Sequence, residues 1–101
     1  MDSRDRVFLR EGAGKAAALL RSVGNENRLL VLCLLIEHGE LSVGQLLEYL
    51  ELSPSALSQH LARMREEGLV ANRRQAQTLY YRIDDPAVTA LVASLKTIFC
   101  P

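Results

Sequence analysis

Long apolar runs are missing from this chain. The longest, Leu29 to Ile36, is eight residues, against the roughly 20 that a membrane-spanning helix requires. A membrane partner is therefore not expected. No basic stretch leads into an apolar segment near the N-terminus, so no secretory signal is visible and the expected address is cytoplasmic. Cysteine is scarce: Cys33 and Cys100 stand far apart and form no CxxC pair. In a reducing compartment they are not expected to make a permanent disulfide. Two thiols cannot complete a structural zinc site without histidines, and the two present, His38 and His60, are isolated. Glycine-rich phosphate loops, paired carboxylates, internal repeats and low-complexity linkers are lacking as well. Neither a metal nor a cofactor is expected.

What remains describes one small folded unit. The 101 residues suffice for a single domain spanning residues 1–101, with 49 % hydrophobic and 24 % charged residues, a balance that argues against disorder. A chain this short buries its own surface only marginally. Net charge is zero, which at first speaks against a nucleic-acid partner. The charges are segregated, however. Residues 37–52 hold Glu37, Glu40, Glu48 and Glu51 and no cation, whereas residues 53–83 hold Arg63, Arg65, Arg73, Arg74 and Arg82 against Glu66 and Glu67. An arginine-only basic block is what positioning on phosphate requires.

The order of elements follows from caps and periods. Residues 1–12 are charged and weakly periodic, and Gly12 and Gly14 weaken the case for an early helix. Lys15 to Val23 reads as a helix stopped by Gly24. Asn25 caps a second, Glu26 to His38, which is apolar on all sides and so is expected at the centre of the core, with Gly39 as its stop. Ser42 and Gln45 have capping-box spacing for a third, which ends near Glu51. Ser53 and Pro54 open a fourth that stops at Gly68. The period then changes from 3.6 to 2. Leu69 to Arg74 and Thr78 to Ile83 read as two strands around Gln75-Ala76-Gln77. Asp85 and Pro86 start a last helix with apolar positions Val88, Leu91, Val92, Leu95, Ile98 and Phe99. Ala87, Ala90 and Ala93 extend its apolar surface beyond one face, which predicts a homodimer. The fold class is mainly α with a β-hairpin wing, a winged helix-turn-helix.

On the fourth helix, Leu57, Leu61 and Met64 share one narrow stripe, and Ser55, Gln59 and Ala62 lie opposite, flanked by Ser58 and Arg63. A helix that enters the major groove needs such a face, low in bulk and rich in donors. Gln59 can pair bidentately with adenine, Ser55 and Ser58 can donate to bases or phosphates, and Arg63 can reach guanine or backbone. Arg73, Arg74, Gln75 and Gln77 then form a wing suited to phosphate or the minor groove. An ordinary amphipathic surface helix and an inert hairpin remain open as the plainer alternatives. His60, beside the core stripe, is either half-buried and hydrogen-bonded to backbone or a phosphate contact. Tyr80 and Tyr81 read as hairpin packing residues.

The run Ser53-Pro54-Ser55-Ala56-Leu57-Ser58-Gln59-His60-Leu61-Ala62-Arg63-Met64-Arg65, with Glu67-Gly68-Leu69-Val70 and the wing from Arg73-Arg74 to Tyr80-Tyr81, resembles the ArsR/SmtB family of bacterial winged-helix repressors. The resemblance covers residues 15–101. It implies a homodimer built on the first and last helices that binds an inverted-repeat operator in double-stranded DNA and releases it on an inducer. Many members sense metals through cysteines just before the recognition motif or Asp/His sets on the last helix. This chain departs from both patterns: Glu40-Leu41-Ser42-Val43-Gly44 carries no cysteine, the last helix has no histidine, and Asp84 and Asp85 read as helix caps. Val31-Leu32-Cys33-Leu34-Leu35 with Ile98-Phe99-Cys100 looks like the dithiol branch of the family, which senses reactive sulfur species or oxidants. That resemblance implies a redox-sensing role for Cys33 and Cys100. From the residues alone, Cys33 reads rather as an inert core thiol than as a sensor, and Cys100 as the more exposed nucleophile.

Other classes stay in view. An enzyme is disfavoured because Cys33 and His38 fall about 140° apart on one helix. A protein-interaction module without DNA binding, and a regulator or anti-repressor with inert cysteines, are the remaining alternatives.

Overall fold

Caps place most element boundaries in the computed structural model, which describes residues 1–100. The chain forms α1 (Ser3–Val7), a π-helical turn (Phe8–Gly12), α2 (Ala13–Val23), α3 (Glu26–His38), β1 (Leu41–Ser42), α4 (Val43–Tyr49), α5 (Pro54–Glu66), β2 (Val70–Gln75), β3 (Thr78–Ile83) and α6 (Pro86–Phe99). The result is the mainly helical winged architecture that the sequence pattern predicts. Asn25, Ser42, Ser53 and Asp85 each accept a backbone N–H at a helix start, and Ser42 and Gln45 complete a reciprocal capping box. Gly39 and Gly68 close α3 and α5 at φ of +81° and +80°, where a side chain would be strained.

The N-terminus corrects the sequence reading. Residues 3–23 are helical almost without a break, despite Gly12 and Gly14. Asp2 and Asp5 cap each other at the start, and at Gly12 the Phe8 ring occupies the space that a Cβ would need. A glycine costs a helix only about 1 kcal/mol relative to alanine, which a capped start offsets. Among the smaller differences, α4 ends at Tyr49 rather than near Glu51. The hairpin pairs Val70 with Ile83 through Gln75 with Thr78, leaving a two-residue turn in which Ala76 takes φ of +56°.

The sheet also holds a strand too short to see in the sequence. β1 pairs with β3, Leu41 opposite Tyr81 and Ser42 opposite Tyr80, so the antiparallel order is β1-β3-β2. This anchors the root of the wing to the start of α4. Beneath it the core gathers Val31, Leu32 and Leu35 from α3, Leu46 from α4, Leu57, Leu61 and Met64 from α5, and Val88 and Val92 from α6. Removing one such leucine costs about 2–5 kcal/mol. α3 is not covered all round, contrary to expectation: Leu30 is 45 % exposed, and Cys33 and Leu34 are half-buried. Val7, Phe8, Leu9 and Leu20 of the N-terminal helices and Ile98 and Phe99 of α6 are also exposed.

Candidate nucleic-acid interface

α4 and α5 meet through the short join Leu50–Ser53 and form the helix-turn-helix. α5 is held rigidly: Leu57, Leu61 and Met64 are wholly inaccessible. Its opposite side presents Ser55, Ser58, Gln59, Ala62 and Arg63 to solvent. Ser53 is engaged as the cap, its Oγ accepting from the Ala56 N–H at 3.1 Å, and Ser55 Oγ lies 3.3 Å from it. Ser58 and Gln59 make no side-chain hydrogen bond among the described residues, so both keep their donors and acceptors for a ligand.

His60 departs from the backbone-bonded reading. It is half-buried, and its Nδ1 accepts from Arg28 Nε at 3.2 Å. Arg28 also donates from Nη1 to the Ser22 carbonyl at 3.1 Å, so one guanidinium ties the end of α2 to α5. A second tie runs beside it. Ser22 Oγ donates to Glu67, and Glu67 pairs with Arg63 Nε at 3.2 Å. A cleft of about 430 Å3 beside the Arg28–His60 contact is lined by Arg28, Ala56, Gln59, His60, Ala62, Arg63 and Glu66. Neither Arg28 nor Ser22 was among the sequence-predicted residues.

The wing carries its cations unequally. Arg73 donates from Nη2 to Glu40 Oε1 at 2.7 Å and from Nε to Glu40 Oε2 at 2.9 Å, and its Nη1 reaches Gln75 Oε1 at 2.9 Å. Its guanidinium lies 4.7 Å from the centroid of the Tyr80 ring, a cation–π distance. The hydrogen bond from Arg73 lowers the Glu40 carboxyl below its usual range, partly opposed by burial and aided by the charges of Arg73 and Arg82. Arg74 is exposed and enters no ion pair among the described residues. Gln77 is exposed in the turn.

Cys33 and Cys100 are both free thiols, the first half-buried and the second exposed. They line one hollow of about 260 Å3, with Leu29, Val92, Leu95, Lys96 and Phe99. Proximity across α3 and α6 is thus a property of the fold that sequence separation conceals. Among the described residues no group of three or more His, Cys, Asp or Glu side chains is arranged to hold a metal ion. No helix among them is long and apolar enough to cross a membrane.

Residues 25–72 match the sequence profile of the bacterial regulatory protein, arsR family. The HTH-type transcriptional regulator YgaV of Escherichia coli strain K12 is 47 % identical, over 92 % of this chain and 94 % of that protein. The solved structure of reduced HlyU from Vibrio cholerae, whose name makes it a transcriptional activator, is 44 % identical with a TM-score of 0.86 over 94 % of this chain and 99 % of that one. The structure of the transcriptional repressor BigR from Xylella fastidiosa is 36 % identical with a TM-score of 0.88, covering 100 % of this chain and 99 % of that one.

Proposed function

This chain belongs to the ArsR family of bacterial transcriptional regulators, and we propose that it is a homodimeric repressor of the cytoplasm whose hold on an inverted-repeat operator is switched by chemistry at Cys33 and Cys100. Ser55, Ser58, Gln59 and Arg63 read the major groove, His60 contacts the DNA backbone beside them, and the wing, with Arg73, Arg74, Gln75 and Gln77, approaches phosphate. The observation that carries this reading is the outward face of α5, where Ser58 and Gln59 have no side-chain partner among the described residues, on a helix whose inner face is buried. In a two-fold dimer built on α2 and α6, two such helices address half-sites about 34–36 Å apart. Fluorescence anisotropy on operator and random duplexes tests the assignment. Gln59→Ala is expected to lose about 1–3 kcal/mol of discrimination, and an unchanged ratio of the two affinities removes α5 as the reading helix.

The thiol part rests on the shared hollow. Two thiols there can be joined by a peroxide, losing two protons and two electrons as the peroxide leaves as two waters. A hydrogen polysulfide can do the same, one of its zero-valent sulfurs taking up the two electrons. Two of its sulfurs in all leave as hydrogen sulfide with the two thiol protons, and any others stay in the link. Either product ties α3, which supports the recognition motif, to the end of α6. Half-site spacing then changes, and a coupling of roughly 1–3 kcal/mol lowers operator affinity about 5–150-fold. Mass spectrometry of Cys33 and Cys100 after sulfide-donor, peroxide and diamide treatment tests it; two unmodified thiols under all three would leave the cysteines as packing residues.

A further inference from the structure

Glu40 lies immediately before β1, and Tyr80 is flanked by Ser42 of β1 on one side and Arg73 of β2 on the other. The period of 2 puts Glu40, Tyr80, Arg73 and Arg82 on the outer face of the sheet. There the guanidinium of Arg73 has the Tyr80 ring beneath it, the Glu40 carboxylate across its Nε and Nη2 donors, and Gln75 on Nη1. A carboxylate and a phosphate offer a guanidinium the same feature, two oxygens matched to two parallel N–H donors. We propose that Glu40 serves as an internal stand-in for a DNA phosphate, holding Arg73 out of backbone binding so that Arg74 carries the wing's attraction for DNA.

The inference rests on the DNA-binding reading above and specifies which wing cation is in use. Attraction to duplex DNA comes from cations that replace condensed counterions, and each one engaged adds about 0.9 to the slope of log affinity against log salt. An arginine already neutralised by a carboxylate brings no net charge to the phosphate. To use its paired fork, DNA must displace Glu40, and what the phosphate contributes is offset by the pair that breaks. Arg74, adjacent in sequence, faces no such competitor among the described residues. Glu40 therefore limits the indiscriminate grip of the wing and leaves base readout by α5 to decide affinity.

The test uses the full chain and a fluorescein-labelled random duplex, with affinity read by anisotropy in wild type, Glu40→Gln, Arg73→Ala, Arg74→Ala and the double variant Glu40→Gln/Arg73→Ala. Arg73→Ala uncovers the Glu40 carboxylate and lowers affinity, but it is expected to leave the salt slope unreduced because no phosphate contact is lost. Arg74→Ala, by contrast, lowers affinity and reduces the slope by about 0.9. Glu40→Gln is expected to raise affinity several-fold at low salt. Its affinity should also fall about 3.5-fold more than wild type between roughly 50 and 200 mM salt, the loss that one added phosphate contact implies. Both gains should vanish in the double variant. A Glu40→Gln protein with wild-type affinity and slope, or a gain that survives in the double variant, overturns the inference while leaving DNA binding standing. A wild type that binds no duplex at low salt sinks the DNA-binding reading, and this one with it. The contrast between Arg73→Ala and Arg74→Ala judges the inference even if Glu40→Gln does not fold.

Discussion

Arg28→Met removes the guanidinium and keeps most of the apolar stem. It breaks the bond from Nε to His60 Nδ1 and the bond from Nη1 to the Ser22 carbonyl. A hydrogen bond to a charged group contributes about 1.5–3 kcal/mol, but Arg28 is only half-buried and water can replace part of each. About 1 kcal/mol apiece is the expected loss, so about 2 kcal/mol for the pair. For a domain of this size each kcal/mol moves Tm by about 4–8 °C, which gives a fall of roughly 8–16 °C. Urea and thermal unfolding at one fixed protein concentration measure it, because association also moves Tm. Arg28→Lys is the sharper variant. It keeps the charge, but a single ammonium lacks the planar fork that reaches both acceptors, and it should recover no more than half the loss. The NMR signature is independent of stability: a donor on Nδ1 fixes His60 as the Nε2–H tautomer, and the Met variant should lose that fixation. An Arg28→Met protein within about 0.5 kcal/mol of wild type, the spread of an ordinary surface substitution, would refute the two-sided tie.

The remaining expectations concern assembly, thiols and pH. Phe99→Glu, placed on a side chain that is 78 % exposed in the single chain, should lower dimer affinity in sedimentation; a wild type that is monomeric at micromolar concentration removes the homodimer. Cys33→Ser and Cys100→Ser should each bind DNA as wild type when reduced and each fail to respond to peroxide or sulfide donors, and either one responding normally ends the dithiol switch. The Glu40 carboxyl, lowered by the hydrogen bond from Arg73, should titrate below the ordinary glutamate range in a carbon-detected NMR titration. Since its folded value is depressed, the stability it confers is present above the unfolded value and is lost as pH falls through the folded one. Arg73→Ala should return the midpoint to the ordinary range.

The elements that could be read from the sequence are those whose signals are local. Asn25, Ser42, Ser53 and Asp85 cap helices through bonds two or three residues long, and the stripe Leu57, Leu61, Met64 repeats at helical spacing within one element. Of what escaped, β1 and the exposed flank of α3 depend on a partner elsewhere, whereas the N-terminal helix rests on local contacts, the Asp2–Asp5 cap and the Phe8 ring at Gly12. β1 is two residues, with no period of its own, and is a strand only because β3 passes beside it. The N-terminal helix was masked by Gly12 and Gly14, since propensity counts the missing Cβ and not the Phe8 ring that fills its place. The exposed flank of α3 reverses a composition argument. An all-apolar helix implies burial, but Leu30 and its neighbours are left for something outside the single chain.

The same distinction separates the two halves of the candidate site. Ser55, Ser58, Gln59 and Arg63 share a helix, so helical spacing alone aligns them. The contacts that position them cross 32 residues from Arg28 to His60 and 45 from Ser22 to Glu67, and the wing pair crosses 33 from Glu40 to Arg73. No periodicity encodes such separations; they become adjacent once the core has docked α3, α5 and the sheet. The segregation of charge seen in the sequence nevertheless acquires a physical meaning there. The acidic stretch 37–52 is not merely distant from the basic block, because Glu40 reaches into it and neutralises Arg73. Counting arginines in the wing therefore overstates its attraction for DNA, and the salt slope, which registers only cations free to replace counterions, is the measurement that separates Arg73 from Arg74.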